Sequence, residues 1–259
     1  MNQKIQGIIA AMVTPMDAAE AVNLPELQHQ TERLIAAGIH GLFCLGTNGE
    51  AYALEEKEKR EVIRCVAEQA NGRVPVLAGT GCVSTSASVA LAKEAEKLGA
   101  NALSVISPWF AVASQEELYR HFMTVADAVQ IPIFLYNIPA RTGVNLSVDT
   151  VCRLAQAGNI AGIKDSSGNF DQILQYIEAA PDDFTVLSGN DSLVLWTLQA
   201  GGKGGICGIA NLFPETMLSI YELWKKGRFE EAKKAQDSIR AIRNLFRLGN
   251  PNTIVKLAA

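Results

Sequence analysis

The chain has 259 residues, 48% of them hydrophobic and 19% charged, with 23 Lys and Arg against 27 Asp and Glu. High apolar content with nearly balanced charge excludes a disordered polymer and supplies a sizeable core. A net charge of −4 provides no global basic field, so nucleic acid is not an expected partner.

At the N-terminus, Lys4 precedes the apolar residues Ile8 to Val13, which end at Thr14-Pro15. That is too short for the core of a secretion signal and reads as a first strand, so a cytoplasmic protein is expected. Seven more apolar runs follow, and the full set is Gly7–Val13, Gly41–Leu45, Val74–Ala78, Ala102–Ile106, Ile133–Tyr136, Ile160–Ile163, Thr185–Leu187 and Gly205–Gly208. They lack polar alternation, as parallel strands buried on both faces do. Around Ala102–Ile106 runs a long charge-free stretch, Leu98 to Gln115. Gly99, Asn101, Pro108 and three serines interrupt it, whereas a membrane span needs about 20 predominantly apolar residues.

The intervening segments carry helical periodicity. Phe170, Ile173, Leu174 and Ile177 share one face, as do Met217, Ile220, Tyr221 and Trp224. Ser114-Gln115-Glu116-Glu117 is a capping box, Glu55 and Glu56 favour a helix start, and Gly99 and Pro181 follow helix ends. Eight strand-helix units in this length fit a (β/α)8 TIM barrel, although an open doubly wound sheet alternates in the same way. Phe229–Leu248 reads as one further helix. The predicted organisation is a barrel over residues 1–226 with a helical extension, not an independent domain, over residues 227–259.

The five cysteines at 44, 65, 82, 152 and 207 are odd in number and contain no Cys-x-x-Cys, so neither a disulfide framework nor a zinc knuckle is expected. His29, His40 and His121 lie far apart, which gives no support to a metal site. Gly79-Thr80-Gly81 lacks the glycine pattern of a dinucleotide loop, and Gly201–Gly205 precedes the last strand and reads as a structural turn.

Barrel chemistry sits at the carboxyl ends of strands. That rule selects Gly46-Thr47-Asn48-Gly49-Glu50, Ser107-Pro108-Trp109-Phe110, Tyr136-Asn137, Lys164-Asp165 and Ser188-Gly189-Asn190-Asp191. Lys164 follows the apolar Ile160–Ile163, where burial disfavours an ammonium ion and makes a neutral, nucleophilic amine available. A salt bridge to Asp165, or a rim lysine reaching solvent, is the competing reading. Tyr136 lies one unit earlier, so the two side chains end neighbouring strands. A phenol beside an amine suits the proton transfers that condensation with a carbonyl requires, although tyrosine is also a common packing residue. The Gly46–Glu50 turn can present successive N–H groups to a carboxylate, or serve only as a tight connection.

Together, Gly46–Glu50, Tyr136–Gly143 and Gly162–Gly168 resemble the dihydrodipicolinate synthase / N-acetylneuraminate lyase superfamily, in register from about Gly7 onward. The resemblance implies a (β/α)8 barrel that handles pyruvate or another 2-oxo acid as a Schiff base, without cofactor or metal. It also implies a homo-oligomer, a dimer or a tetramer. By position, Lys164 matches the imine-forming lysine, Tyr136 the proton-transferring tyrosine and Thr47 the hydroxyl that links that tyrosine to the site. Thr47 and Asn48 match the seat of the 2-oxo acid carboxylate, and Gly189 and the Ile206 carbonyl match pocket positions. Arg141 matches the arginine that receives the second substrate's carboxylate.

The sequence departs from the pattern at Phe110, where synthases carry a second relay tyrosine, and at Asn48, where they carry a hydroxyl. Trp109 and Val83 replace residues of the lysine-inhibitor site, and the family's terminal helices are expected to run beyond Ala259. Three functions therefore stay open. One is condensation of pyruvate with aspartate semialdehyde, as in 4-hydroxy-tetrahydrodipicolinate synthases. The second is cleavage of a 2-oxo sugar acid or 4-hydroxy-2-oxoglutarate, and the third is a catalytically silent barrel that binds a 2-oxo acid.

Overall fold

Each apolar run becomes a parallel strand. The computed structural model describes residues 5–259. Its strands are Gly7–Ala11 (β1), Gly41–Cys44 (β2), Val76–Gly79 (β3), Ala102–Ile106 (β4), Ile133–Asn137 (β5), Ile160–Asp165 (β6), Thr185–Ser188 (β7) and Gly204–Cys207 (β8). They pair in chain order, and β1 pairs with β8 as well as β2, so the sheet is a closed barrel and not an open one.

The two-residue period of a strand sorts its side chains into two cores. Ile9, Phe43, Leu77, Phe134, Leu187 and Ile206 fill the barrel interior. Ile8, Leu42, Val76, Leu103, Leu135 and Ile163 face outward and pack beneath the helices. Both faces are dry, which is why the sequence shows runs instead of alternation. The Gly201–Gly205 run serves backbone packing, as its position suggests: Gly204 has φ +141°, and a Cβ there would fall 2.0 Å from the Gly7 carbonyl oxygen across the β8–β1 seam.

Helix punctuation follows the sequence closely. Ser114 caps Gln115–Ala126, its hydroxyl accepting from the Glu117 N–H while Glu117 accepts from the Ser114 N–H at 2.7 Å. Glu55 and Glu58 form the same reciprocal box at the start of Glu56–Ala70. Among the described residues no helix is long and apolar enough to cross a membrane.

The expected single helix over Phe229–Leu248 is broken. It divides into Phe229–Ser238 and Arg240–Leu245, followed by a 3-10 turn at Phe246–Leu248. Ser238 donates its hydroxyl back to the Ala235 carbonyl, a bond that bends helices, and buried Ile239 anchors the bend in the core. After Gly249, Asn250 caps a further helix, Pro251–Ala258, which returns to the top of the barrel.

His121 is buried at 4% exposure, with its Nδ1 2.9 Å from the Thr85 hydroxyl. Burial holds its pKa down to about 4, against 6.5 for an ordinary histidine. Between these values the unfolded chain binds a proton that the folded chain refuses. Stability is therefore complete above pH 6.5 and is lost as pH falls toward 4, by up to about 3 kcal/mol from this residue. Urea midpoints measured from pH 7.5 to 4.5 should fall more steeply for the wild type than for His121→Asn; parallel profiles would contradict this account.

Candidate active site

Lys164 and Tyr136 meet because their strands share register. Tyr136 of β5 lies opposite Lys164 of β6, and both positions point into the barrel with Phe134 two residues before the tyrosine. Lys164 is 4% exposed and Tyr136 3%. The lysine Nζ stands 3.9 Å from the centre of the Tyr136 ring and 4.9 Å from that of Phe43.

Neither bland reading of the lysine matches this arrangement. Its side chain does not reach solvent, and the Asp165 carboxylate is engaged elsewhere. Asp165 accepts from Asn137 Nδ2 at 2.8 Å, from the Ser167 hydroxyl at 2.6 Å and from the Ser167 N–H at 3.0 Å. Burial pushes the Asp165 pKa up, and these hydrogen bonds oppose the shift. Asn137 also donates to Asn145 Oδ1, so the carboxyl ends of β5 and β6 are tied to each other and to the following loop.

The turn after β2 brings Thr47 to the tyrosine, with the Thr47 and Tyr136 hydroxyls 3.0 Å apart. Leu45 and Glu50 frame the turn with φ +58° and +52°, conformations that non-glycine residues adopt only when surrounding contacts hold them. The Thr14 hydroxyl donates to the Gly49 carbonyl at 2.7 Å, which supplies one such contact. Among the described residues, the N–H groups of Thr47 and Asn48 donate to no backbone acceptor. Two such groups in succession suit a carboxylate.

Five of the predicted residues divide between two cavities, and Lys164 lines neither. Thr47, Tyr136 and Arg141 line one of about 370 Å³, together with Trp109, Lys59 and Asn252. Arg141 reaches it from the short helix Pro139–Thr142, which Gly143 ends at φ +75°. Asn48 and Gly189 line a second cavity of about 520 Å³, beside Asp191 and Arg243. Lys164 adjoins Gly189: a Cβ at position 189 would fall 2.9 Å from the lysine Cε and 1.9 Å from the Ser166 hydroxyl. Glycine at 189 thus leaves the lysine its room.

Ile206 packs in the barrel interior and lines neither cavity. Phe110 is 96% exposed at φ +79° and lines neither cavity, while Trp109 borders the first. Sequence reasoning missed Lys59, Asn250 and Asn252, which also line that cavity. The capping motif Asn250-Pro251 was the available signal for the last two.

Residues 4–259 match the model of the dihydrodipicolinate synthetase family. The 4-hydroxy-tetrahydrodipicolinate synthase of Methanopyrus kandleri is 41% identical over 254 residues, covering 97% of this chain and 85% of that one. Among solved structures, the dihydrodipicolinate synthase of Aquifex aeolicus superposes with a TM-score of 0.94 at 34% identity, covering 97% of this chain and 86% of that one. YagE, an E. coli prophage protein of the dihydrodipicolinic acid synthase family determined in complex with pyruvate, gives 0.95 at 32% identity, covering 98% and 87%. On the family match and on this identity across nearly its whole length, the chain belongs to the dihydrodipicolinate synthetase family.

Proposed function

We propose that the protein is a Schiff-base lyase that joins pyruvate to an aldehyde bearing a carboxylate, in the manner of a 4-hydroxy-tetrahydrodipicolinate synthase acting on aspartate semialdehyde. The observation that carries this reading is a buried lysine amine packed on a tyrosine whose hydroxyl is held by Thr47. Its support from relatives is the synthase named above and the pyruvate complex of YagE.

The Lys164 amine attacks C2 of pyruvate, and water leaves to give an iminium. The positive nitrogen draws electrons from C2, so a C3 proton departs and an enamine forms. Enamine C3 attacks the aldehyde carbon, the new alkoxide takes a proton, and water finally returns the amine. Tyr136, linked to Thr47, moves the protons of these steps. The lysine nitrogen is itself the electron sink, so the reaction draws on no metal or cofactor. The N–H groups of Thr47 and Asn48 seat the pyruvate carboxylate.

Arg141 receives the carboxylate of the aldehyde, a task that suits the paired donors of a guanidinium. Arg141→Ala should therefore cost on the order of 10-fold or more in kcat/KM with aspartate semialdehyde. It should leave neutral aldehydes nearly unaffected in a steady-state panel. Equal losses for both would contradict its role.

A second reading rests on Phe110, which has no hydroxyl to transfer a proton: cleavage of a 2-oxo sugar acid or 4-hydroxy-2-oxoglutarate. The same panel, run with these acids, separates it from the first. The protein acts within the cytoplasm as a homo-oligomer, as the family resemblance implies, although a relative with 32% identity is described as a monomeric dihydrodipicolinate synthase variant.

A further inference from the structure

The C-terminal helix Pro251–Ala258 touches the turn that carries Thr47 at two points. Asn252 Nδ2 donates to the Thr47 carbonyl at 3.0 Å, and Lys256 Nζ pairs with Glu50 at 2.8 Å. Asn252 is 6% exposed, and its direction is set locally: the Asn250 side chain accepts from the Asn252 N–H at 3.2 Å and Pro251 starts the helix. The same Thr47 carbonyl accepts from the Glu50 N–H at 3.2 Å, closing the turn on itself. A turn framed by two left-handed non-glycine residues needs outside support. Two of its side-chain ties come from this one helix, and the others run to Thr14, to the Ala11 carbonyl from Asn48 and to Tyr136 from Thr47.

Resting on the proposed lysine chemistry, we infer that Asn252 is a positioning residue for proton transfer. It fixes the Thr47 backbone, the Thr47 hydroxyl in turn orients the Tyr136 phenol, and the phenol serves the nitrogen of Lys164. The helix therefore completes the active site and does more than cap the barrel. A rotation of the Thr47 turn would lengthen the 3.0 Å contact between the two hydroxyls without disturbing the lysine itself. Imine formation and proton transfer should consequently respond differently to its loss.

The test follows exchange of the pyruvate C3 protons into deuterated water by NMR, with borohydride capture of the imine measured in parallel and no aldehyde present. Asn252→Ala should slow exchange about 10- to 100-fold. At saturating pyruvate it should leave the captured fraction on Lys164 unchanged. Asn252→Leu, whose branched shape matches asparagine without its donor, should behave alike and guards against loosening by an empty space. In a Thr47→Val background, which keeps the carbonyl and deletes the hydroxyl, removing Asn252 should cost less than about 2-fold, because the path it serves is already cut. Exchange at the wild-type rate in both Asn252 variants would overturn the inference, as would the same loss with and without the Thr47 hydroxyl. A wild-type protein that captures no pyruvate on Lys164 would instead overturn the lysine reading, and this inference with it.

Discussion

Lys164→Ala should lower turnover by on the order of 10⁴-fold or more, because it removes the only atom that can bond to the ketone in the proposed reaction. The barrel should tolerate the change. Lys164 is buried against the rings of Phe43 and Tyr136 and makes no ion pair among the described residues, so its removal leaves no charge stranded. Lys164→Arg tests the same point from the other side. A guanidinium can pack on the same two rings, but it stays protonated and cannot attack a carbonyl. Both variants should fold with thermal midpoints near that of the wild type and turn over at background rates. Retention of more than about a tenth of wild-type turnover by either would remove the lysine from the chemistry.

Tyr136→Phe carries the second largest expected effect, a loss of roughly 10²- to 10³-fold in kcat, the usual worth of a positioned acid–base group. The ring stays, so its packing on the lysine nitrogen at 3.9 Å is preserved. Only the hydroxyl that stands 3.0 Å from Thr47 is lost. Leaving Thr47 without that partner should destabilise the fold by only about 1 kcal/mol. Imine capture should persist at a slower rate, since the phenol moves protons but forms no bond to carbon. A kcat within about threefold of wild type would show that another group moves the protons.

Much of this arrangement was legible in the sequence, for reasons that lie in the strands. A strand buried on both faces must be apolar throughout, so the eight runs stand out, and each matches its observed strand to within two residues. The capping boxes at Glu55 and Ser114 are local, and local chemistry reads directly. Lys164 and Tyr136 were paired by the rule that chemistry sits at strand ends, and register supplies the side-by-side geometry.

Other features depend on contacts that adjacent residues do not reveal. Thr47 and Asn48 are neighbours in the chain yet line different cavities, because successive residues of a tight turn face apart. The carboxylate beside Lys164 belongs to Asn137 and Ser167, since strand alternation sends Asp165 to the outer face. Asn252 meets the Thr47 carbonyl across 205 residues, a contact set by where the broken C-terminal helix returns. The break itself falls at buried Ile239, beside Ser238 and its bond back to Ala235, within an apolar period that reads as continuous.

The most direct measurement is peptide mass analysis after borohydride reduction of the wild-type protein with pyruvate. The account predicts one reduced pyruvate per chain, carried on the peptide that contains Lys164 and absent when borohydride or pyruvate is left out. An unmodified Lys164, or an adduct on a different lysine such as Lys59, would contradict it.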